Sequence, residues 1–270
     1  MLDGLNLNGK TVLITGGGTG LGLEMVKFLS EAGADVCVAG RRIEPLNAAV
    51  QEVQANGRQG LAVSTDVSDS SQVRSLVEET LIHFGKIDVL INNAALVEDN
   101  VVKPIWDIKD EEWQKGLDVN LSGAFYCSRE VAKHMADRGT GKIINTASGF
   151  GLRGGKDIYT YCCTKGGIIQ LTKVLSFSLA RYNITANTIV PGFIPTDATE
   201  SEFRTTLPKS GEFLPSGELG QPKHIGPIAV FLASSASDYM TGEIFTLDGG
   251  GLSAGIAPTG YAPINYFQEV

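Results

Sequence analysis

At 270 residues, 43% hydrophobic and 19% charged, the chain has the composition of a globular protein with a sizeable core. Its formal net charge of −8 argues against a dedicated nucleic-acid or anionic-membrane binder, whose footprint is basic. The opening Met1-Leu2-Asp3-Gly4-Leu5 has no basic stretch or long apolar run, and no apolar stretch approaches the roughly 20 residues of a membrane span. Cys37, Cys127, Cys162 and Cys163 show no zinc spacing, so reduced buried thiols in a cytoplasmic protein are expected. His83, His134 and His224 lie far apart and suggest neither a metal site nor a hydrolase triad.

Residues 10–15 form a short apolar run with β-branched side chains and read as a buried strand. Gly16-Gly17-Gly18-Thr19-Gly20-Leu21-Gly22 follows, then an amphipathic helix that stops at Ala32-Gly33. A second strand at 35–39 leads to a helix at 43–55, with Pro45 in its first turn. A third strand covers 60–65, Asp69 caps a helix over 71–84, and a fourth strand covers 87–91. A long helix over 109–138, with a break near Gly116 or Asn120, precedes a fifth strand at 141–146. A helix over 158–182 leads to a sixth strand at 184–190, ended by Pro191-Gly192. Residues 193–221, rich in Pro, Gly, Ser and Thr, read as a mobile loop with short helical pieces. A helix at 223–233 and a seventh strand at 243–247 complete the pattern. The unbroken alternation predicts one α/β domain over 1–250: a doubly wound, seven-stranded parallel sheet with helices on both faces. The tail, 251–270, has aromatics without periodicity.

Four places carry chemistry. A strand feeding a glycine-rich turn and a helix N-terminus is an anion site, where backbone N–H groups and the helix dipole meet a pyrophosphate. The spacing here is Gly16-x-x-x-Gly20-x-Gly22. After the second strand, where a dinucleotide site uses an acid for NAD or an arginine for NADP, stand Gly40-Arg41-Arg42, with no carboxylate before Glu44. A guanidinium forks onto a phosphate and gains little from a bare hydroxyl, which favours NADP(H) over NAD(H). The other reading leaves both arginines as solvated turn residues. Asp66, after the third strand, can accept from an adenine amino group. Finally, Tyr161 and Lys165 share a helix face, where a neighbouring ammonium favours the phenolate and lowers the tyrosine pKa.

These motifs fall in register with those of a known family. Thr15-Gly16-x-x-x-Gly20-x-Gly22, Asp66-Val67, Asn92-Asn93-Ala94-Ala95, Asn120 and Ser148 follow one another in that order. Tyr161-x-x-x-Lys165, Pro191-Gly192-x-x-x-Thr196 and Leu247-Asp248-Gly249-Gly250 come next, with Ser148 thirteen residues before Tyr161. Over about 8–250 the chain resembles the short-chain dehydrogenase/reductase family, and within it 3-oxoacyl-carrier-protein reductase-like and ketone or polyol dehydrogenase members. The resemblance implies a Rossmann fold and a carbonyl or alcohol substrate. It makes Tyr161 the general acid or base, with Lys165 lowering its pKa and binding the nicotinamide ribose. Ser148 would hydrogen-bond the substrate oxygen, and Asn120 would hold a water linking Lys165 to solvent. Gly16, Thr19, Gly20, Leu21, Arg41, Arg42, Asp66, Val67, Asn93 and Ala94 would contact the cofactor. Pro191, Gly192, Ile194 and Thr196 would hold the nicotinamide amide and diphosphate. The resemblance also implies a homotetramer or homodimer built through the two long helices, with the 251–270 tail docked on a neighbouring subunit. Trp106, Tyr159 and Phe193 either shape the substrate pocket or pack at the surface, and Arg153 faces either substrate or solvent.

Overall fold

Alternate residues of the central strands face opposite layers of helices, and both layers are apolar. The computed structural model describes residues 3–96, 103–196 and 214–253. Its seven strands are β1 (Thr11–Thr15), β2 (Asp35–Gly40), β3 (Gly60–Ser64), β4 (Val89–Asn92), β5 (Gly141–Thr146), β6 (Ile184–Pro191) and β7 (Ile244–Leu247). They pair in the order β3-β2-β1-β4-β5-β6-β7, with every pairing parallel. Among the described residues seven helices accompany them: α1 (Gly20–Glu31), α2 (Ile43–Ala55), α3 (Ser70–Phe84), α4 (Asp110–Leu117), α5 (Gly123–Arg138), α6 (Tyr159–Leu179) and α7 (Ile225–Ala233).

The register explains the burial. Leu13 stands opposite Cys37 and Leu90, Leu90 opposite Ile143, and Ile143 opposite Ala186. That row joins Val73, Leu76, Val131 and Met135 of α3 and α5 in one core. One residue on, Val38, Ile14, Ile91 and Ile144 form the adjacent row, which packs with Met25, Leu29, Leu46 and Ile225 of α1, α2 and α7 in another. Side chains alternate across a strand, so a sheet covered on both faces needs apolar runs instead of polar alternation. Each fully buried Leu or Ile contributes roughly 1.5–3 kcal/mol relative to exposure.

Boundaries move by one to a few residues from the sequence expectation. Asp69 caps α3 as expected, accepting the Ser71 N–H at 2.8 Å and the Gln72 N–H at 3.4 Å. Gly85, at φ 77°, closes the same helix in the left-handed region. The expected long helix is α4 and α5 joined through a π-helical turn at Asp118–Ser122, so the interruption falls at Asn120 and not at Gly116. The expected 158–182 helix ends at Leu179, followed by a 3-10 turn to Tyr182. The buried-thiol expectation holds for Cys37 and Cys127, whose burial pushes both up to about 12. It fails for Cys163, which is exposed, and for half-buried Cys162, because α6 turns that part of its surface outward. Most of the expected 193–221 loop, residues 197–213, and the tail from residue 254 lie outside the described residues.

Under the carboxyl ends of the strands a buried polar network ties four elements together. Asn92 Nδ2 donates to Asn145 Oδ1 at 2.8 Å and to Ser128 Oγ at 3.0 Å, and Asn145 Nδ2 donates to Thr172 Oγ1 at 2.8 Å. Buried networks of this kind rigidify what they join, and here Asn92 Oδ1 is the member without a partner among the described residues. This one joins β4, β5, α5 and α6; α6 carries Tyr161 and Lys165, Ser148 follows β5, and Asn120 lies in the turn that leads into α5.

Candidate active site

Strand order reverses between β1 and β4, and in open parallel sheets the crevice outside the carboxyl ends at that point binds ligands. Thr15 and Asn93 hold this crevice open. Thr15 Oγ1 accepts the N–H groups of Asn93 and Ala94, each at 3.1 Å, and Asn93 Nδ2 donates to the Gly16 carbonyl at 3.1 Å. Gly16 and Gly20 take φ of 66° and 56°, a region that side chains disfavour. A Cβ on Gly22 would overlap the Gly16 carbonyl oxygen, so α1 approaches the loop as closely as backbone permits. No side chain caps α1 at Thr19, and its first turn holds no acid. Its leading N–H groups are therefore offered to an anion without a competing carboxylate. These features fit a dinucleotide pyrophosphate. Gly22→Ala is expected to weaken NADPH binding at least tenfold, measured by fluorescence titration; an unchanged Kd would contradict the close-approach argument.

Two connected hollows bring the expected cofactor residues together. One, an open cavity of about 950 Å³, is lined by Gly16, Thr19, Gly20 and Leu21 together with Pro191, Gly192, Ile194 and Thr196. Asn93, Ala94, Ser148, Tyr161 and Lys165 line the same cavity. The other, about 720 Å³, shares Gly16, Thr19 and Ala94 with it and runs out to Arg41, Arg42, Asp66 and Val67. Both arginines are exposed, and neither makes an ion pair with a described residue. Asp66 Oδ1 is engaged by the Ser68 hydroxyl at 2.6 Å and the Ser68 N–H at 3.0 Å. Among the described residues no cluster of three His, Cys, Asp or Glu is placed to hold a metal ion.

Lys165 is 2% exposed, and its Nζ donates to the Thr146 carbonyl at 2.8 Å. Nζ also stands 5.6 Å from the centroid of the Tyr161 ring. The sequence spacing predicts a tyrosine pKa lowered by this ammonium; the structure corrects that. Burial raises the Tyr161 phenol above its ordinary value, and the Ser148 hydroxyl beside it pulls only partly the other way. The lysine is aimed at β5, and its own burial pushes it down to about 8. The folded chain thus holds that proton less tightly than the unfolded chain. This group's contribution is least favourable below pH 8, and stability recovers as pH rises from there toward the ordinary 10.5. The cost at neutral pH is about 3 kcal/mol. Lys165→Met is therefore expected to raise the melting temperature of the cofactor-free protein by several degrees at pH 7, with the gain shrinking toward pH 10. A lower midpoint at pH 7 would contradict the burial argument.

Asn120 lies behind the cleft. Its Oδ1 accepts the Leu96 N–H at 2.6 Å, and its Nδ2 donates to the Leu96 carbonyl at 3.2 Å and to Thr164 Oγ1 at 3.4 Å. This side chain fastens the chain after β4 to α6. Reading the sequence missed this clamp, the Thr15–Asn93 clamp and the Thr146 acceptor; the Asn92-Asn93 pair and the threonines ending β1 and β5 were the available signals.

Beyond Ser148 the cleft continues into a cavity of about 390 Å³ lined by Phe150, Arg153, Phe193, Leu214, Asp248 and Leu252, among others. Phe193 therefore shapes this pocket. Trp106, 81% exposed, takes the surface reading, and Tyr159 turns its hydroxyl to Asp157 Oδ1 at 3.3 Å.

Comparison with known proteins agrees with this geometry. The short chain dehydrogenase family model matches residues 10–206. The chain is 38% identical over 259 residues to the 2-dehydro-3-deoxy-D-gluconate 5-dehydrogenase of Dickeya dadantii (strain 3937), covering 94% of this chain and 99% of that one. It is 35% identical over 246 residues to the 3-oxoacyl-acyl-carrier-protein reductase of Chlamydia pneumoniae, covering 91% and 98%. A gluconate 5-dehydrogenase from Burkholderia cenocepacia J2315, solved in complex with NADP and tartrate, superposes with a TM-score of 0.84 at 34% identity, covering 93% and 98%. A doubly wound Rossmann sheet with a nicotinamide-type cleft defines the class of protein as a dinucleotide-dependent oxidoreductase. The chain belongs to the short-chain dehydrogenase/reductase family.

Proposed function

We propose that the protein is an NADP(H)-dependent oxidoreductase that reduces a ketone to a secondary alcohol and runs in reverse as an alcohol dehydrogenase. The observation that carries this reading is that Tyr161, Ser148 and Lys165 line the same cavity as the glycine loop. A nicotinamide bound there supplies the hydride. Tyr161 donates its phenolic proton to the substrate oxygen in reduction and accepts it in oxidation. Its raised pKa keeps the phenol protonated at neutral pH, the form that reduction uses. Ser148 donates to the same oxygen as charge develops. Lys165 remains largely an ammonium below pH 8, balances the phenolate left behind and binds the ribose hydroxyls. With the Asn120 amide committed to Leu96 and Thr164, its part in proton resupply falls to its backbone oxygen. Arg41, with Arg42 beside it, would receive the 2′-phosphate, and Asp66, which lines the same hollow, would accept from the adenine amino group. The relatives' names offer two substrate classes, a sugar-acid ketone and a carrier-bound 3-oxoacyl group.

Initial rates over a panel of ketones and alcohols, with each cofactor, test the reading. Faster turnover with NADPH supports it. Equal or faster turnover with NADH points to an NAD-linked sugar or polyol dehydrogenase, and NADPH binding without turnover to a non-catalytic dinucleotide-binding protein. We also infer a homotetramer or homodimer. Exposed Phe125 on α5 and Val174 and Phe177 on α6 lie on the two helices expected to pair, and light scattering that finds a monomer removes this inference. The described residues include no helix long and apolar enough to cross a membrane, and the exposed thiol of Cys163 suits a reducing cytoplasm.

A further inference from the structure

The cavity beyond Ser148 contains a cation that the proposed chemistry does not use. Arg153 lies between the 3-10 turn Gly149–Gly151 and α6, and it forms part of the cavity wall. Its Cζ stands 5.3 Å from the centroid of the Phe150 ring. Phe150 in turn meets Tyr161 and Phe193 edge to face, with centroids 6.4 Å apart in each case. One aromatic ring therefore separates the guanidinium from the proposed proton donor.

The charge of Arg153 is not spent inside the protein. The residue is half-buried and makes no ion pair with a described residue. Asp248 shares the cavity wall, but its oxygens turn to the backbone, Oδ1 accepting the Gly250 N–H at 2.9 Å and Oδ2 the Leu252 N–H at 2.7 Å, and no ion pair joins it to Arg153. Among the described residues, Phe193, Leu214 and Leu252 add apolar surface to the wall. An aromatic face holds the plane of a guanidinium and leaves its edge donors unsatisfied. A half-buried cation among apolar side chains costs free energy until an anion meets it, and its planar fork matches a carboxylate with two parallel hydrogen bonds.

We propose that Arg153 is the anion anchor of the substrate pocket, and that the substrate is an oxo acid, or the corresponding hydroxy acid, whose carboxylate lies a few carbons from the reacting carbonyl. The inference rests on Tyr161 as the proton donor, because that fixes which end of the cavity receives the carbonyl. Phe150 and Phe193 cover the carbons between the two ends. The anchor selects substrates by charge and leaves the hydride and proton steps as already described.

Two readouts test this. The first compares kcat/KM for levulinate and levulinamide, which differ only in the charged end. The second is calorimetric binding of succinate, which offers a carboxylate but no ketone, to the NADPH complex. In the wild type levulinate is expected to exceed levulinamide about 10- to 100-fold, the span of a hydrogen bond to a charged group. Arg153→Gln brings that ratio near one and weakens succinate binding at least tenfold; Arg153→Lys retains part of both. Melting curves and NADPH affinity confirm that the variants are folded. A wild-type ratio near one, a ratio that survives R153Q, or succinate binding that is absent or indifferent to Arg153 overturns the anchor. Tyr161-dependent turnover of both ketones at equal rates overturns the anchor alone and leaves the reductase reading standing. Succinate binding that needs Arg153, with no ketone or alcohol turned over by any cofactor, keeps the anchor and removes that reading.

Discussion

Tyr161→Phe is expected to lower kcat by about a thousandfold or more while leaving the NADPH Kd within about threefold. The substitution removes one oxygen. The ring stays, and with it the edge-to-face contact to Phe150 at 6.4 Å that sets the cavity wall. The glycine loop, Pro191 and Gly192 are untouched, so the cofactor still finds its cradle. What is lost is the phenolic proton donor that shares the cavity with Ser148 and lies beside the lysine. Lys165 is buried and one of its three N–H donors is held by the Thr146 carbonyl at 2.8 Å, so it is not free to move to the substrate oxygen in place of the phenol. Single-turnover rates beside a binding titration separate the two quantities. Full residual turnover would remove Tyr161 from the chemistry, and a parallel loss of binding would make its role structural.

Arg41→Ala is expected to reduce kcat/KM for NADPH about 100-fold and that for NADH no more than about threefold. A charge-assisted hydrogen bond is worth roughly 1.5–3 kcal/mol, and a forked pair on a phosphate is at the upper end. Arg41 is exposed and makes no ion pair with a described residue, so its removal takes no internal support from the fold. The same loss with both cofactors would refute the 2′-phosphate assignment, and a small loss with both would make Arg41 a solvated turn residue. The double variant with Arg42→Ala shows whether the second guanidinium shares the phosphate.

Much of this architecture is legible in the chain because its signals are local. The apolar β-branched runs at Thr11–Thr15 and Ile184–Pro191 declare strands buried on both faces, and the glycines from 16 to 22 declare a loop that a backbone must approach closely. Tyr161 and Lys165 are one helical turn apart, so their proximity follows from helix geometry. The rest depends on partners brought from afar. The lysine's acceptor, Thr146, lies nineteen residues away on β5, and its position decides that burial, not the ammonium, governs the tyrosine. Asn120 reads as a helix break, and the structure gives it a π turn together with a clamp to Leu96 across 24 residues. Arg153 is visible as a charge in a glycine-rich segment, but which way it faces is set by the short turn that places it against Phe150. Trp106 shows the converse: a large aromatic that the sequence allows in the pocket is 81% exposed.

Parallel initial-rate measurements with NADPH and NADH over a panel of ketones bear most directly on the central claim. The cleft described here predicts NADPH consumption matched by formation of a secondary alcohol, with NADH much poorer on the same ketone. Tight NADPH binding with no ketone reduced and no alcohol oxidised by either cofactor would contradict it.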